Sequence, residues 1–183
     1  MVKIVVIGRG RVGGGLAQLW ADRGHQVSAL GRDGGDATGA DVVVVAVAAA
    51  QIAEALGAVN GLAGQPTLDA CNIYTERYDD FPSLSHQIQS IIGGPTAKAF
   101  STNFASLYEQ VGEQRVRPSN LYAADDGARP YAEQLSLDAG YEPVYVGPLT
   151  PGACLLEDSS GVTRALAAQC GPFFYRYAQP GQL

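Results

Sequence analysis

The sequence predicts an open, doubly wound α/β domain with a mostly parallel sheet. Three observations predict it: an N-terminal β-branched run that breaks into a glycine-rich turn, alternation of strand-like with helix-like segments thereafter, and strands that are apolar on both faces. With 183 residues, the chain is long enough for one full hydrophobic core and short for two. We therefore expect one domain over 1–183, with core sheet and helices in 1–149 and a C-terminal helix and tail in 150–183.

Val2 to Ile7 reads as the first strand. Val12, Leu16, Leu19 and Trp20 then share one helical face, and Gly24 closes that helix. Val27 to Leu30 follows as a second strand, and a strand–helix–strand unit this compact is right-handed. GRDGGDATGAD has no helical periodicity, so the crossover to the next strand, Val42 to Val47, is predicted as a loop in place of a helix. A short helix over Ile52 to Val59, a strand over Thr67 to Cys71 and a helix over Ser83 to Ile92 come next. Strands are then predicted at Lys98 to Thr102, Leu121 to Ala124 and Glu142 to Val146, with a helix from Asp126 to Ala139 stopped by Gly140. A last helix spans Cys154 to Cys170, with Leu155, Val162, Leu166 and Cys170 facing inward.

Composition excludes several classes. A net charge of −6 argues against nucleic acid or an anionic membrane surface as partner. The longest apolar run, Val42 to Ala50, is under half of the roughly 20 residues that cross a bilayer. The N-terminus carries no cleavage pattern of a secretion signal. Cys71, Cys154 and Cys170 are odd in number and lack a metal-ligand spacing, which reads as small core residues in a reducing cytoplasm. No metal is expected.

Gly8, Gly10 and Gly13 form G-x-G-x-x-G between a strand and a helix. Gly8 permits the tight turn, Gly10 lets backbone approach a pyrophosphate, and Gly13 lets the helix pack on the strand. Helix-terminal amides then face the phosphates. In NAD-binding proteins an acidic residue about 20 residues onward grips the ribose 2′-hydroxyl. Here Gly31 and Arg32 stand at that place. A guanidinium suits a 2′-phosphate, and each charge-assisted hydrogen bond is worth roughly 1.5–3 kcal/mol, which points to NADP. Asp33 either repels that phosphate or faces water. Arg9 can also reach the 2′-phosphate and Arg11 can flank the pyrophosphate; the alternative for both is solvated surface.

Beyond these residues, GHQVSALGR, ADVVVVAV, LDACN, AKAF and above all AADDGARPYAEQLSLDAGYEPVYVGPL resemble the NADPH-dependent reductases of the deazaflavin coenzyme F-420, in the 6-phosphogluconate dehydrogenase-like superfamily. The similarity runs over nearly the whole chain. It implies a Rossmann domain with a short C-terminal extension, NADP(H) as cofactor, coenzyme F-420 as co-substrate, and direct hydride transfer between nicotinamide and deazaflavin. By position, Arg9, Gly10, Arg11 and Val12 would contact the phosphates, and Gly31 and Arg32 the 2′-phosphate. Ala46, Val47 and Ala48 would line the ribose and nicotinamide, Asn72 the nicotinamide end, and Ala99, Phe100 and Ser101 the wall behind the hydride acceptor. Four positions depart from the family pattern: Gly31 replaces a serine, Ala48 and Ile73 replace prolines, and Ser101 stands where asparagine is common.

Direct hydride transfer needs alignment and exclusion of water more than an acid or base. Asn72 and Ser101 are accordingly the catalytic candidates, with Tyr74 and Asn103 as further polar groups at the strand ends. Lys98 either orients a polar group or reaches solvent from a strand end. His25 reads as structural or exposed, and His86 lies on a polar helix face. The expected function is an NADP(H)-dependent oxidoreductase acting on a deazaflavin or similar flat acceptor. The alternatives are a reductase of a small imine or enamine metabolite and a non-catalytic NADP-binding module. Related reductases of small metabolites usually add a long helical domain, so a site completed by a homodimer is a further expectation. Phe173, Phe174, Tyr175 and Tyr177 serve either that dimer interface or packing against the sheet.

Overall fold

The computed structural model describes residues 1–73 and 80–182. Strand β1 (Lys3–Ile7) leads through the glycine turn into α1 (Arg11–Asp22), which returns the chain to β2 (Gln26–Leu30). In place of a second crossover helix stands a two-residue strand, β3 (Gly35–Asp36), followed by β4 (Val42–Val45). A 3-10 turn at Ala49–Gln51 opens α2 (Ile52–Gly57), and β5 (Val59–Asn60) pairs parallel with β3. The predicted absence of a helix between the second and third long strands is thus observed. A small sheet of its own stitches the loop instead.

The remaining elements are β6 (Thr67–Asp69), α3 (Leu84–Ile92), β7 (Thr96–Lys98), a 3-10 stretch over Ala105–Glu113, β8 (Ser119–Ala124), α4 (Arg129–Asp138), β9 (Glu142–Gly147) and α5 (Leu149–Cys170). Seven strands form one sheet in the order β2-β1-β4-β6-β7-β8-β9. All pairs are parallel except β7 with β8. The order reverses at β1, with β2 to one side and β4 to the other, so a crevice opens at the C-terminal ends of β1 and β4.

Alternate residues of β1 feed two cores. Ile4 and Val6 join Leu16, Trp20 and Leu135 on one face; Val5 and Ile7 join Ile52, Leu56 and Ile88 on the other. Val42 to Val45 have no exposure at all, as a strand covered on both faces requires. The Trp20 indole N–H donates to the Leu135 carbonyl at 2.9 Å, which locks α1 to α4 through an otherwise apolar layer.

Three expectations need correction. The strand predicted at Lys98 to Thr102 lies at Thr96–Lys98. It ends early because Phe100 takes φ +60, a conformation unfavourable for side-chain-bearing residues, and its N–H turns to the Asn120 side chain at 3.0 Å. The last helix begins at Leu149, with a break at Thr150, and buries a different face from the predicted one. Leu155, Val162 and Leu166 are 54%, 63% and 52% exposed, whereas Gly152, Ala153, Leu156, Glu157 and Ser160 face inward. The reason is closeness: a Cβ on Gly152 would come within 2.5 Å of the Ala123 methyl, so α5 approaches the sheet through its small residues. Among the cysteines only Cys71 is a buried core residue; Cys154 is half-buried and Cys170 exposed.

Phe173, Phe174 and Tyr175 pack back on the body of the domain, whereas Tyr177 is 59% exposed. Phe173 meets Phe104 edge-on at 5.3 Å, and the Tyr175 carbonyl accepts from Ser119 N–H at 2.8 Å. Burial of α5 leads to a direct test. Leu156→Ala is expected to lower stability by about 2–5 kcal/mol, and Leu166→Gln to change it by less than about 0.5 kcal/mol, as read by urea denaturation.

Candidate functional site

The crevice is a cleft of about 730 Å³ lined by the end of β1, the glycine turn, the end of β2, the end of β4 and the first turns after it. Of the sequence-predicted residues it brings together Gly8, Arg9, Gly10, Gly31, Arg32, Ala46, Val47 and Ala48. The turn is built as its glycines require. Gly8 sits at φ +103, and a Cβ there would lie 2.3 Å from the Ala46 carbonyl oxygen. Gly13 lets α1 close on the turn, because its Cβ would fall 1.8 Å from the Gly8 oxygen. Gly10 is the opposite case, with nothing within 4 Å of an added Cβ. That open space lies at the N-cap of α1, where no side chain caps the helix and no acidic residue stands in its first turn. Unpaired N–H groups and a clear approach are what a pyrophosphate needs.

Arg9 crosses from the glycine turn to the end of β2. A Cβ added to Gly31 would meet its guanidinium at 2.6 Å from Nε and 2.8 Å from Cζ. Gly31 is therefore the floor on which the Arg9 head group rests, and a side chain there would require that head group to move. Arg32 follows on the same rim and is exposed. Among the described residues no salt bridge engages either arginine. Asp33 and Glu54 line the same cleft, so two cations and two carboxylates share it. Gln51 and Glu54 were missed by sequence reasoning. Their signal was position alone, since the 3-10 turn that ends at Gln51 and the first turn of α2 follow β4 at the crevice.

Other predicted residues lie elsewhere. Arg11 is exposed at the start of α1 and does not line the cleft, and Val12 packs against the core. Ala99 and Phe100 do not present their side chains as a wall; both are buried, and the Phe100 ring stacks edge-on against Trp20 and Tyr141 at 5.7 and 6.2 Å. The positive φ at Phe100 swings that ring into the core. Asn72 and Ser101 do come together at the ends of β6 and β7, where Asn72 Nδ2 donates to the Ser101 carbonyl at 2.7 Å. The Ser101 hydroxyl is buried without a hydrogen-bond partner among the described residues. Asn103 Nδ2 donates to the Ser119 carbonyl at 3.0 Å. Tyr74 lies outside the described residues.

Lys98 does not reach solvent; its ammonium holds polar groups inside the protein, donating to the Cys71 carbonyl at 2.7 Å. It is wholly buried and pairs with Asp69 at 2.8 Å and Glu157 at 3.3 Å. Burial opposes its charge, but the two carboxylates outweigh that and hold its ammonium above the ordinary lysine range. Burial pushes the Cys71 thiol well up, so it stays an un-ionised core group. His25 is structural, accepting from Val2 N–H and facing Asp138 at 2.9 Å. His86 lies between Ser83 and Thr150 and ties α3 to the start of α5. Among the described residues no group of acidic, histidine and cysteine side chains forms a metal site, and no helix is long and apolar enough to cross a membrane.

No family model matches the sequence, and no curated protein matches it. Solved structures do share the fold. One from Arthrobacter sp., provisionally named an F-420-dependent NADP reductase, superposes with a TM-score of 0.78 at 24% identity, covering 98% of this chain and all of that one. A hypothetical protein from Sinorhizobium meliloti gives 0.66 at 23% identity, over 84% of this chain and 88% of its own. A reductive aminase from Aspergillus terreus, in complex with NADPH and ethyl levulinate, gives 0.65 at 16% identity. The match covers 92% of this chain but 63% of that enzyme. These likenesses establish a Rossmann-like α/β fold with a mostly parallel sheet.

Proposed function

We propose that the protein is an NADP(H)-dependent oxidoreductase that passes a hydride between nicotinamide and a flat acceptor, with coenzyme F-420 as the first candidate. The observation that carries the reading is the Arg9 guanidinium resting on Gly31, next in sequence to Arg32, in the same cleft that Gly10 lines. Two guanidinium groups at the end of the second strand match a 2′-phosphate, where an acidic side chain would match a free ribose hydroxyl. The α1 amides and Gly10 would take the pyrophosphate. Ala46, Val47 and Ala48 line the cleft after β4, and Asn72 and Ser101 follow the next two strands of the sheet, β6 and β7. When bound, NADPH supplies the hydride. The chain's own task is then to orient two rings and exclude water, and the neutral, hydrogen-bonding Asn72 and Ser101 suit orientation without proton transfer.

The deazaflavin is favoured by the motif resemblance and by the end-to-end match to the Arthrobacter protein. The shared fold of the reductive aminase favours a second reading, reduction of a small imine. One assay separates them: the protein is mixed with NADPH and oxidised coenzyme F-420, and then with NADPH and a cyclic imine. Loss of the deazaflavin visible absorbance is expected. Turnover of the imine alone selects the second reading, and NADPH binding without turnover of either substrate selects a non-catalytic binding module. We further propose a soluble cytoplasmic protein with a small-molecule co-substrate, and a homodimer that completes the substrate side.

A further inference from the structure

At the ends of β6 and β7, beyond the cleft, three charged side chains from distant parts of the chain meet out of contact with solvent. Lys98 Nζ donates to Asp69 Oδ2 at 2.8 Å and to the Cys71 carbonyl at 2.7 Å. Asp69 Oδ1 accepts from the Cys71 N–H at 2.8 Å, and its Oδ2 also accepts from the Ser85 hydroxyl at 2.6 Å. Glu157, from α5, accepts from Leu84 N–H at 2.8 Å and faces Lys98. Lys98, Asp69 and Ser85 have no exposed surface.

Burying charges costs several kcal/mol per ion before pairing, and apolar side chains of similar volume often stabilise a core as well or better. Apolar side chains cannot hold a peptide group in one orientation. Both polar groups of Cys71 are gripped here, the N–H by Asp69 and the C=O by Lys98. The next residue is Asn72, which reaches across to the Ser101 carbonyl, beside a buried serine hydroxyl with no partner among the described residues.

We propose that Lys98 and Asp69 are positioning residues that fix the Cys71–Asn72 backbone, and through it the polar edge formed by Asn72 and Ser101, at the nicotinamide end of the site. The inference rests on the NADP(H) reading above. It predicts that disturbing the grip weakens binding of the nicotinamide half and leaves the adenosine and 2′-phosphate half untouched, because the arginines and the glycine turn lie strands away.

The test titrates two probes by calorimetry, NADPH and 2′,5′-ADP, which carries only the adenosine half and the 2′-phosphate. In the triple variant Lys98→Met/Asp69→Asn/Glu157→Gln, which leaves no charge of the buried cluster behind, the affinity for NADPH is expected to fall about tenfold, while that for 2′,5′-ADP stays within about twofold. Ser85→Ala removes one bond to Asp69 without touching a charge. It is expected to show the same split at about threefold, and it decides the matter if the triple variant does not fold. Parallel losses for both probes, or no loss for NADPH, overturn the positioning role. Unaltered protein that binds neither probe overturns the NADP(H) reading itself, a separate result from unaltered protein that binds both and variants that show no split.

Discussion

Arg32→Ala is expected to bind NADPH about tenfold more weakly than the unaltered protein while its affinity for NADH stays the same. The unaltered protein is expected to prefer NADPH by at least about tenfold, and Arg9→Ala/Arg32→Ala to lose the preference altogether. The argument is electrostatic and local. Asp33 and Glu54 line the cleft with the two arginines, so removing both guanidinium groups leaves a rim of carboxylates that repels a phosphate dianion and tolerates a ribose hydroxyl. Salt provides the control, since screening should weaken NADPH binding more steeply than NADH binding, which lacks the 2′-phosphate charge. Arg9 contributes only while it rests on Gly31. Gly31→Ser, which restores the residue of the resembled family, puts a side chain within 2.6 Å of Arg9 Nε and should displace that arginine, giving a phenotype close to Arg9→Ala. Fluorescence titration with the two nucleotides measures all five proteins. Equal affinities of the unaltered protein for NADPH and NADH would sink the NADP assignment.

What could be read from the chain follows from how local its causes are. The glycine turn, the first βαβ unit and the fully buried Val42–Val45 strand depend on neighbours in sequence, and they stand where expected. The β7 strand was misplaced because nothing in AKAFST reveals that Phe100 adopts a left-handed backbone; its partner Asn120 is twenty residues away. The α5 face was misread for a related reason. Hydrophobic periodicity selected Leu155, Val162 and Leu166, yet the helix is seated by how near its backbone can come to β8, and glycine, alanine and serine decide that. The ionic cluster was hidden most deeply. Asp69, Lys98 and Glu157 are each of a type that is almost always exposed unless paired, and only the folded sheet brings them together.

The glycine turn supports a second large prediction, one that separates architecture from binding. Gly13→Ala drives a methyl group to 1.8 Å from the Gly8 oxygen and 3.1 Å from the Ala46 methyl. Neither can yield, since one is backbone and the other directly follows the fully buried strand β4, so α1 must lift from the sheet. A loss of about 3 kcal/mol is expected, together with loss of nucleotide binding. Gly10→Ala meets nothing within 4 Å, and its φ of −73 suits any residue. Its stability cost is expected to stay under about 1 kcal/mol, that of a poorer N-cap. The added methyl nevertheless projects into the space where the backbone admits a pyrophosphate, so NADPH and NADH affinities should both fall by about tenfold or more. Urea denaturation and calorimetric titration read the two effects separately. A Gly10→Ala protein that binds NADPH as tightly as the unaltered one would mean that the opening over the α1 N-terminus holds no phosphate. The parallel loss for both nucleotides also distinguishes this substitution from Arg32→Ala, because the pyrophosphate is common to NADPH and NADH while the 2′-phosphate is not.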